Sequence, residues 1–128
     1  MIDKKILKGK VVTGIGDFSG WIKKLNTFYE QKTGMKLFPG TLNIKLEENF
    51  HLPYVDLRLE AEEFGGTQGI HIFPCQIFGR KAFILRTDNS ENGTGRYPKK
   101  IIEIATDIKL RDTFNLSDGD SVEVIVKL

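Results

Sequence analysis

Cysteine is almost missing from this chain: Cys75 is the only one in 128 residues, which excludes an internal disulfide framework and fits a reducing compartment. Histidine is scarce too. His51 and His71 stand far from each other, and with Cys75 they lack the spacing of a zinc or iron site, so they read as ordinary imidazoles and a packed thiol. Charge of one sign is not in excess either, because nineteen basic residues against seventeen acidic ones leave a formal charge of +2. That is too little to drive binding to nucleic acid or a membrane surface. Long apolar runs do not occur: the opening MIDKKILKGK has no signal-peptide core, and no segment approaches the roughly 20 residues of a membrane span. Internal repeats, low-complexity tracts and interdomain linkers are lacking as well. Together these absences point to a cytoplasmic protein with no nucleic-acid or membrane partner, folded as a single domain over residues 1–128.

What is present has a globular balance, with 40% hydrophobic and 28% charged residues, enough to fill one core and not two. Ile6 to Thr13 reads as a first strand ending at glycine. GIGDFSGW, Gly14 to Trp21, follows as a loop whose glycines let the backbone turn tightly and approach a ligand. Trp21, Leu25, Phe28 and Tyr29 recur at helical spacing over Gly20 to Lys32, with Ser19 or Asp17 as candidate caps and Gly34 as the stop. This stripe predicts core packing.

After the turn Phe38-Pro39-Gly40, the segment Thr41 to Leu46 alternates strictly, placing Leu42, Ile44 and Leu46 on one face and Thr41, Asn43 and Lys45 on the other. Val55, Leu57 and Leu59 alternate in another strand. Ile70 to Phe78 is a longer one, in which Pro74 marks an edge or a bulge, and it forms a hairpin with Ala82 to Leu85 through Gly79. Asp88 to Arg96 reads as a polar surface loop, Pro98 as the opening of a helical turn leading into Ile101, Ile102 and Ile104, and Leu110 with Phe114 as a short helix. Asp118-Gly119-Asp120 is a turn before the alternating Val122, Val124 and Val126. About six strands, one substantial helix and no regular βαβ rhythm predict a mainly β fold. A Greek-key barrel satisfies its strand edges.

Four segments carry candidate chemistry. The glycine loop matches neither a P-loop nor a dinucleotide fingerprint, so it is either a phosphate cradle or a plain connection. Thr41 and Asn43 are neutral oxygen donors on one strand face, suited to Mg2+ when phosphates supply the charge, or simply facing water. Glu103, set among isoleucines, is either a carboxylate of raised pKa that takes or orients a proton, or a solvent-facing glutamate. Lys109 and Arg111 are available to phosphates unless Asp107 and Asp112 pair with them.

In this order and at these separations, GKVVTGIG, PGTLNIKL, YPKKIIEI and LRDTFNLSDGDSVEV resemble the archaeal CTP-dependent riboflavin kinase family over nearly the whole chain. The resemblance implies a six-stranded Greek-key barrel of the cradle-loop, riboflavin-kinase-like kind with one amphipathic helix and short helical turns. It implies transfer of the CTP γ-phosphoryl group to the ribityl hydroxyl of riboflavin, giving FMN and CDP. By it, Ile15, Gly16, Asp17, Phe18, Ser19 and Gly20 hold the nucleotide, and so do Ile108, Lys109, Leu110 and Arg111, largely through backbone. Thr41 and Asn43 match its Mg2+ ligands. Glu103 matches the flavin-site carboxylate beside the accepting hydroxyl, with Thr94 and Gly95 also on the flavin. Where the family carries a Thr-His-Tyr-like stretch, this chain has Gly95-Arg96-Tyr97, with Thr94 one residue early. The implied partners are therefore riboflavin and CTP, taken up by a monomer. A non-catalytic nucleotide- or flavin-binding barrel is the alternative that the altered stretch raises, and a barrel-type DNA-binding regulator is a further one that the near-neutral charge disfavours.

Overall fold

Strand alternation builds the architecture. In β1 (Lys4–Val12), Leu7, Gly9 and Val11 turn inward, and in β2 (Leu42–Leu46), Leu42, Ile44 and Leu46 do the same. The computed structural model describes residues 3–14, 18–52, 57–91 and 100–127, and only the backbone of Ser19, Ser90 and Glu91. Between the first two strands come α1 (Phe18–Lys24) and α2 (Asn26–Thr33). After β2 follow β3 (Arg58–Leu59), α3 (Ala61–Phe64), β4 (Ile70–Ile77) and β5 (Arg80–Thr87). The chain continues through α4 (Asp88–Glu91), β6 (Ile101–Ala105), α5 (Leu110–Thr113) and β7 (Ser121–Lys127).

All pairings are antiparallel, in the order β3-β4-β5-β6-β2-β1-β7, and β7 also pairs with β4. That last pairing closes a six-stranded barrel, with β3 as an extra strand on β4. The β4–β7 pairing closes the sheet on itself, and stretches of the strands outside the paired registers keep one side open. Pro74 sits in one of these stretches. Away from β5, β4 meets β3 at Ile70 and His71 and β7 at Gln76 and Ile77, so the missing N–H of Pro74 lies between two pairings. The β4–β5 hairpin turns through Phe78 and Gly79, both at positive φ (52° and 71°), as a two-residue turn of matching twist requires.

Two apolar clusters result. The barrel interior holds Val11, Ile44, Ile84, Ile102, Ile104 and Val124, with Cys75 among them, its thiol pushed up to about 12 by burial. The second lies outside the barrel wall, where Phe18, Ile22, Leu25 and Tyr29 of the helical layer cover Leu59, Ile72, Phe83, Leu85 and Ala105.

Several expectations need correction. The single amphipathic helix is two, broken at Leu25, whose φ of −110° and ψ of 24° leave the α region. The buried stripe runs through Phe18, Ile22, Leu25 and Tyr29, so Ile22 takes the place expected of Trp21, which is 40% exposed and touches the Phe64 ring and the Lys24 ammonium. Ser19 lies inside α1 rather than before it, and Asp17 is outside the described residues. Gly34 does end α2, at φ 72°. Of the strand expected around Val55, Leu57 and Leu59, Arg58–Leu59 pairs as β3 and the Leu57 carbonyl accepts from Ile72 N–H at 3.1 Å, while Val55 is outside the described residues. The polar segment from Asp88 starts as a short helix, α4, and Arg58 clamps it to β3 through two bonds to Asp88 (2.9 and 3.1 Å). Ile101 to Ala105 is a strand, not the end of a helical turn. Pro98 is outside the described residues. No helix among the described residues is long and apolar enough to cross a membrane.

Candidate active site

One row of residues crosses the outer face of the barrel. Val12 of β1 is opposite Asn43 of β2, Asn43 is opposite Glu103 of β6, and Glu103 is opposite Leu85 of β5. Because successive side chains of a strand alternate faces, all four point the same way, outward. The row starts at the stem of the glycine segment and ends beneath the helical layer, with its two polar members in the middle.

Those two are nevertheless buried, Asn43 to 8% and Glu103 to 6% exposure. The flanking isoleucines do not supply the apolar surroundings of Glu103, since Ile102 and Ile104 point into the barrel. Leu85 and the helical layer do. Burial raises the Glu103 carboxyl to about 7, against the lowering effects of a hydrogen bond from Thr41 and the charge of Arg86. The Thr41 hydroxyl donates to Glu103 Oε1 at 3.2 Å, which turns its lone pairs elsewhere. Arg86, itself buried, donates to the Phe50 and Ile101 carbonyls, the latter at 3.3 Å.

Asn43 Oδ1 is buried and has no hydrogen-bond partner among the described residues. Gly14 passes directly over this side chain: a Cβ added there would lie 2.3 Å from Asn43 Nδ2. The beginning of the glycine segment and the Thr41–Asn43 face are therefore juxtaposed. Thr41 Oγ1 and Asn43 Oδ1 form a pair of neutral oxygens, the donor type a hard cation takes when anionic phosphates complete its shell. An orphaned, buried carbonyl oxygen fits that use, because leaving it unpaired costs stability in the resting protein. Among the described residues no group of three His, Cys, Asp or Glu is arranged to hold a metal.

Tyr29 belongs to the same neighbourhood, although the helical stripe marked it only as core. It is fully buried, its hydroxyl has no partner among the described residues, and burial and the Glu103 charge both raise its pKa. Tyr29→Phe is expected to stabilise the fold by about 1 kcal/mol, since it removes an unsatisfied buried hydroxyl; urea melts of the two proteins would measure it.

The other sequence candidates distribute as follows. Ile15, Gly16, Asp17, Thr94 and Gly95 are outside the described residues. Phe18 is buried in the helical cluster and Gly20 is exposed on α1. Ile108, Lys109, Leu110 and Arg111 share with Thr41, Gly40 and Phe38 the walls of a cavity of about 60 Å³, room for one or two waters, so a larger ligand must seat at its rim. Lys109 pairs with Asp112 at 3.5 Å, as the sequence allowed. Arg111 pairs with neither Asp107 nor Asp112. It donates to Asp118 (2.6 Å) and to the Val12 carbonyl (3.1 Å), while Asp107 is taken by Arg80 (2.7 Å). A wider groove of about 1050 Å³ runs along β1, β2 and β7 and reaches Thr13 and Asp118. Its lining includes neither Glu103 nor Asn43.

Residues 11–126 match the family model CTP-dep_RFKase, described as Domain of unknown function DUF120. The chain is 34% identical to a protein of Methanocella arvoryzae named riboflavin kinase, over 95% of this chain and 57% of that protein. A riboflavin kinase of Pyrobaculum aerophilum is 36% identical over 95% of this chain and 60% of its own length. One from Staphylothermus marinus is 29% identical over 94% and 90%. The chain thus spans less than two thirds of the first two relatives and most of the third.

Proposed function

This chain belongs to the CTP-dependent riboflavin kinase family, and from that premise we propose that it transfers the γ-phosphoryl group of CTP to the ribityl hydroxyl of riboflavin, giving FMN and CDP. The observation that carries the reading is the buried Glu103, bonded to Thr41 and opposite Asn43, with Gly14 lying on Asn43. A carboxyl of pKa about 7 is poised to gain or lose a proton near neutrality, which is what a general base for an alcohol needs.

In this mechanism the acceptor hydroxyl is held by the Glu103 carboxylate. Its proton passes to Glu103 as its oxygen bonds to the γ-phosphorus, and the bond from that phosphorus to the β–γ bridging oxygen breaks, releasing CDP. Thr41 keeps the carboxylate in one orientation, and Leu85 and the helical layer exclude water. Little covalent help is needed, since positioning and charge stabilisation account for most catalysis of phosphoryl transfer. Thr41 Oγ1 and Asn43 Oδ1 would hold Mg2+, which when bound neutralises charge on the nucleotide phosphates. The glycine segment from Gly14 onward and the Ile108 to Arg111 stretch would flank the nucleotide. Thr94 and Gly95 keep their flavin role on resemblance alone.

Incubating the protein with riboflavin, Mg2+ and either CTP or ATP should yield FMN chiefly with CTP, and chelating the divalent ion should stop the reaction. Quenching of flavin fluorescence without any FMN under CTP would replace the kinase by a binding module.

A further inference from the structure

The Asp118-Gly119-Asp120 turn, read from sequence only as a lead-in to the last strand, is bonded to the stem of the glycine segment at several points. Asp118 Oδ2 accepts from the Thr13 hydroxyl, and Asp118 Oδ1 accepts from Arg111 Nη2 at 2.6 Å. The same Arg111 nitrogen donates to the Val12 carbonyl at 3.1 Å. Gly119 N–H donates to the Val11 carbonyl at 2.8 Å, and Val11 N–H donates to the Asp120 carbonyl at 2.9 Å. Each of Val11, Val12 and Thr13 is thus tied to this turn or to Arg111, and the next residue, Gly14, is the one that lies on Asn43.

We propose that Asp118 is a positioning residue for the nucleotide: by holding Thr13 and Arg111 together it fixes where the stem places Gly14 over Asn43. The inference rests on the nucleotide role given to that segment above. It has a sign that a charge effect alone would reverse. A carboxylate beside a triphosphate repels it, so removing Asp118 would tighten nucleotide binding if charge were its only influence. If Asp118 positions the stem, removing it weakens binding despite the lost repulsion.

The arms of the test are calorimetric titrations of CTP with Mg2+ into the wild type, Asp118→Ala, Asp118→Asn and Thr13→Val. The expected result is a Kd for CTP raised about tenfold in Asp118→Ala and less in Thr13→Val, with riboflavin binding by fluorescence unchanged. In turnover the KM for CTP rises while the KM for riboflavin stays level. Asp118→Asn should also weaken CTP binding, because an amide offers one acceptor oxygen for two donors; with Thr13→Val it keeps the test decisive should the alanine variant fold poorly. Equal or tighter CTP binding by the Asp118 variants would overturn this inference alone. No CTP binding by the wild type would overturn the nucleotide reading and this inference together.

Discussion

Glu103→Gln should lower the rate of FMN formation by about 10²–10⁴-fold and at the same time make the protein harder to unfold above neutral pH. Both effects come from burial. The folded carboxyl ionises at about 7 rather than at its ordinary 4.5, so between those values the folded chain holds a proton that the unfolded chain has released. The stability this group contributes is complete below 4.5, declines as pH rises toward 7, and is lost beyond it. The accumulated cost is about 3 kcal/mol. Gln carries no charge to bury and still offers an oxygen to the Thr41 hydroxyl. Urea melts should therefore find the two proteins similar at acid pH and the variant more stable above 7. Activity runs the other way: in the wild type it climbs through pH about 7 as the base ionises, and this limb disappears in the variant. A wild type whose rate is flat across that range would remove Glu103 from the chemistry.

Gly14→Ala is expected to cost about 100-fold in activity with a small change in melting temperature. The substitution adds one methyl, at an ordinary φ, so the backbone is not strained. The methyl meets Asn43: Nδ2 at 2.3 Å, Cγ at 2.7 Å and Oδ1 at 2.8 Å. Either the amide rotates or the stem lifts, and a displacement of about 1 Å in a positioned site is enough for a loss of that size. Asn43→Ala together with Gly14→Ala should then be little worse than Asn43→Ala alone, because the clash has lost its partner. Full activity in Gly14→Ala would mean that Asn43 and the glycine stem do not form one site.

The strands whose alternation was legible in sequence have a face that meets water, whereas Ala82 to Leu85, buried on both faces, was placed by the turn at Gly79. Thr41 to Leu46 and Ser121 to Lys127 alternate visibly because one side is apolar and the other mostly polar. Gly79 signalled the hairpin, and Gly34 the helix end, through backbone requirements that a single residue meets; that Phe78 belongs to the turn and not to the strand came from the structure. β6 hid for the opposite reason. It is covered on both sides, Ile102 and Ile104 by the barrel and Glu103 and Ala105 by the helical layer, so its pattern lost its period. The break at Leu25 hid because the buried residues keep helical spacing across it, as Ile22, Leu25 and Tyr29 show.

Local sequence by itself determined the strands with a wet face, the turn between β4 and β5, the end of α2, and which residue types with useful chemistry stood on the Thr41 strand. Tertiary structure alone decided that Asn43 faces Glu103, that Gly14 rests on Asn43, and that Arg111 belongs to Asp118 rather than to its near neighbours in the chain. The physical reason is range: alternation and turn chemistry act over a few residues, whereas the burial that lifts Glu103 to about 7 arises only when strands and helices distant in sequence close around it.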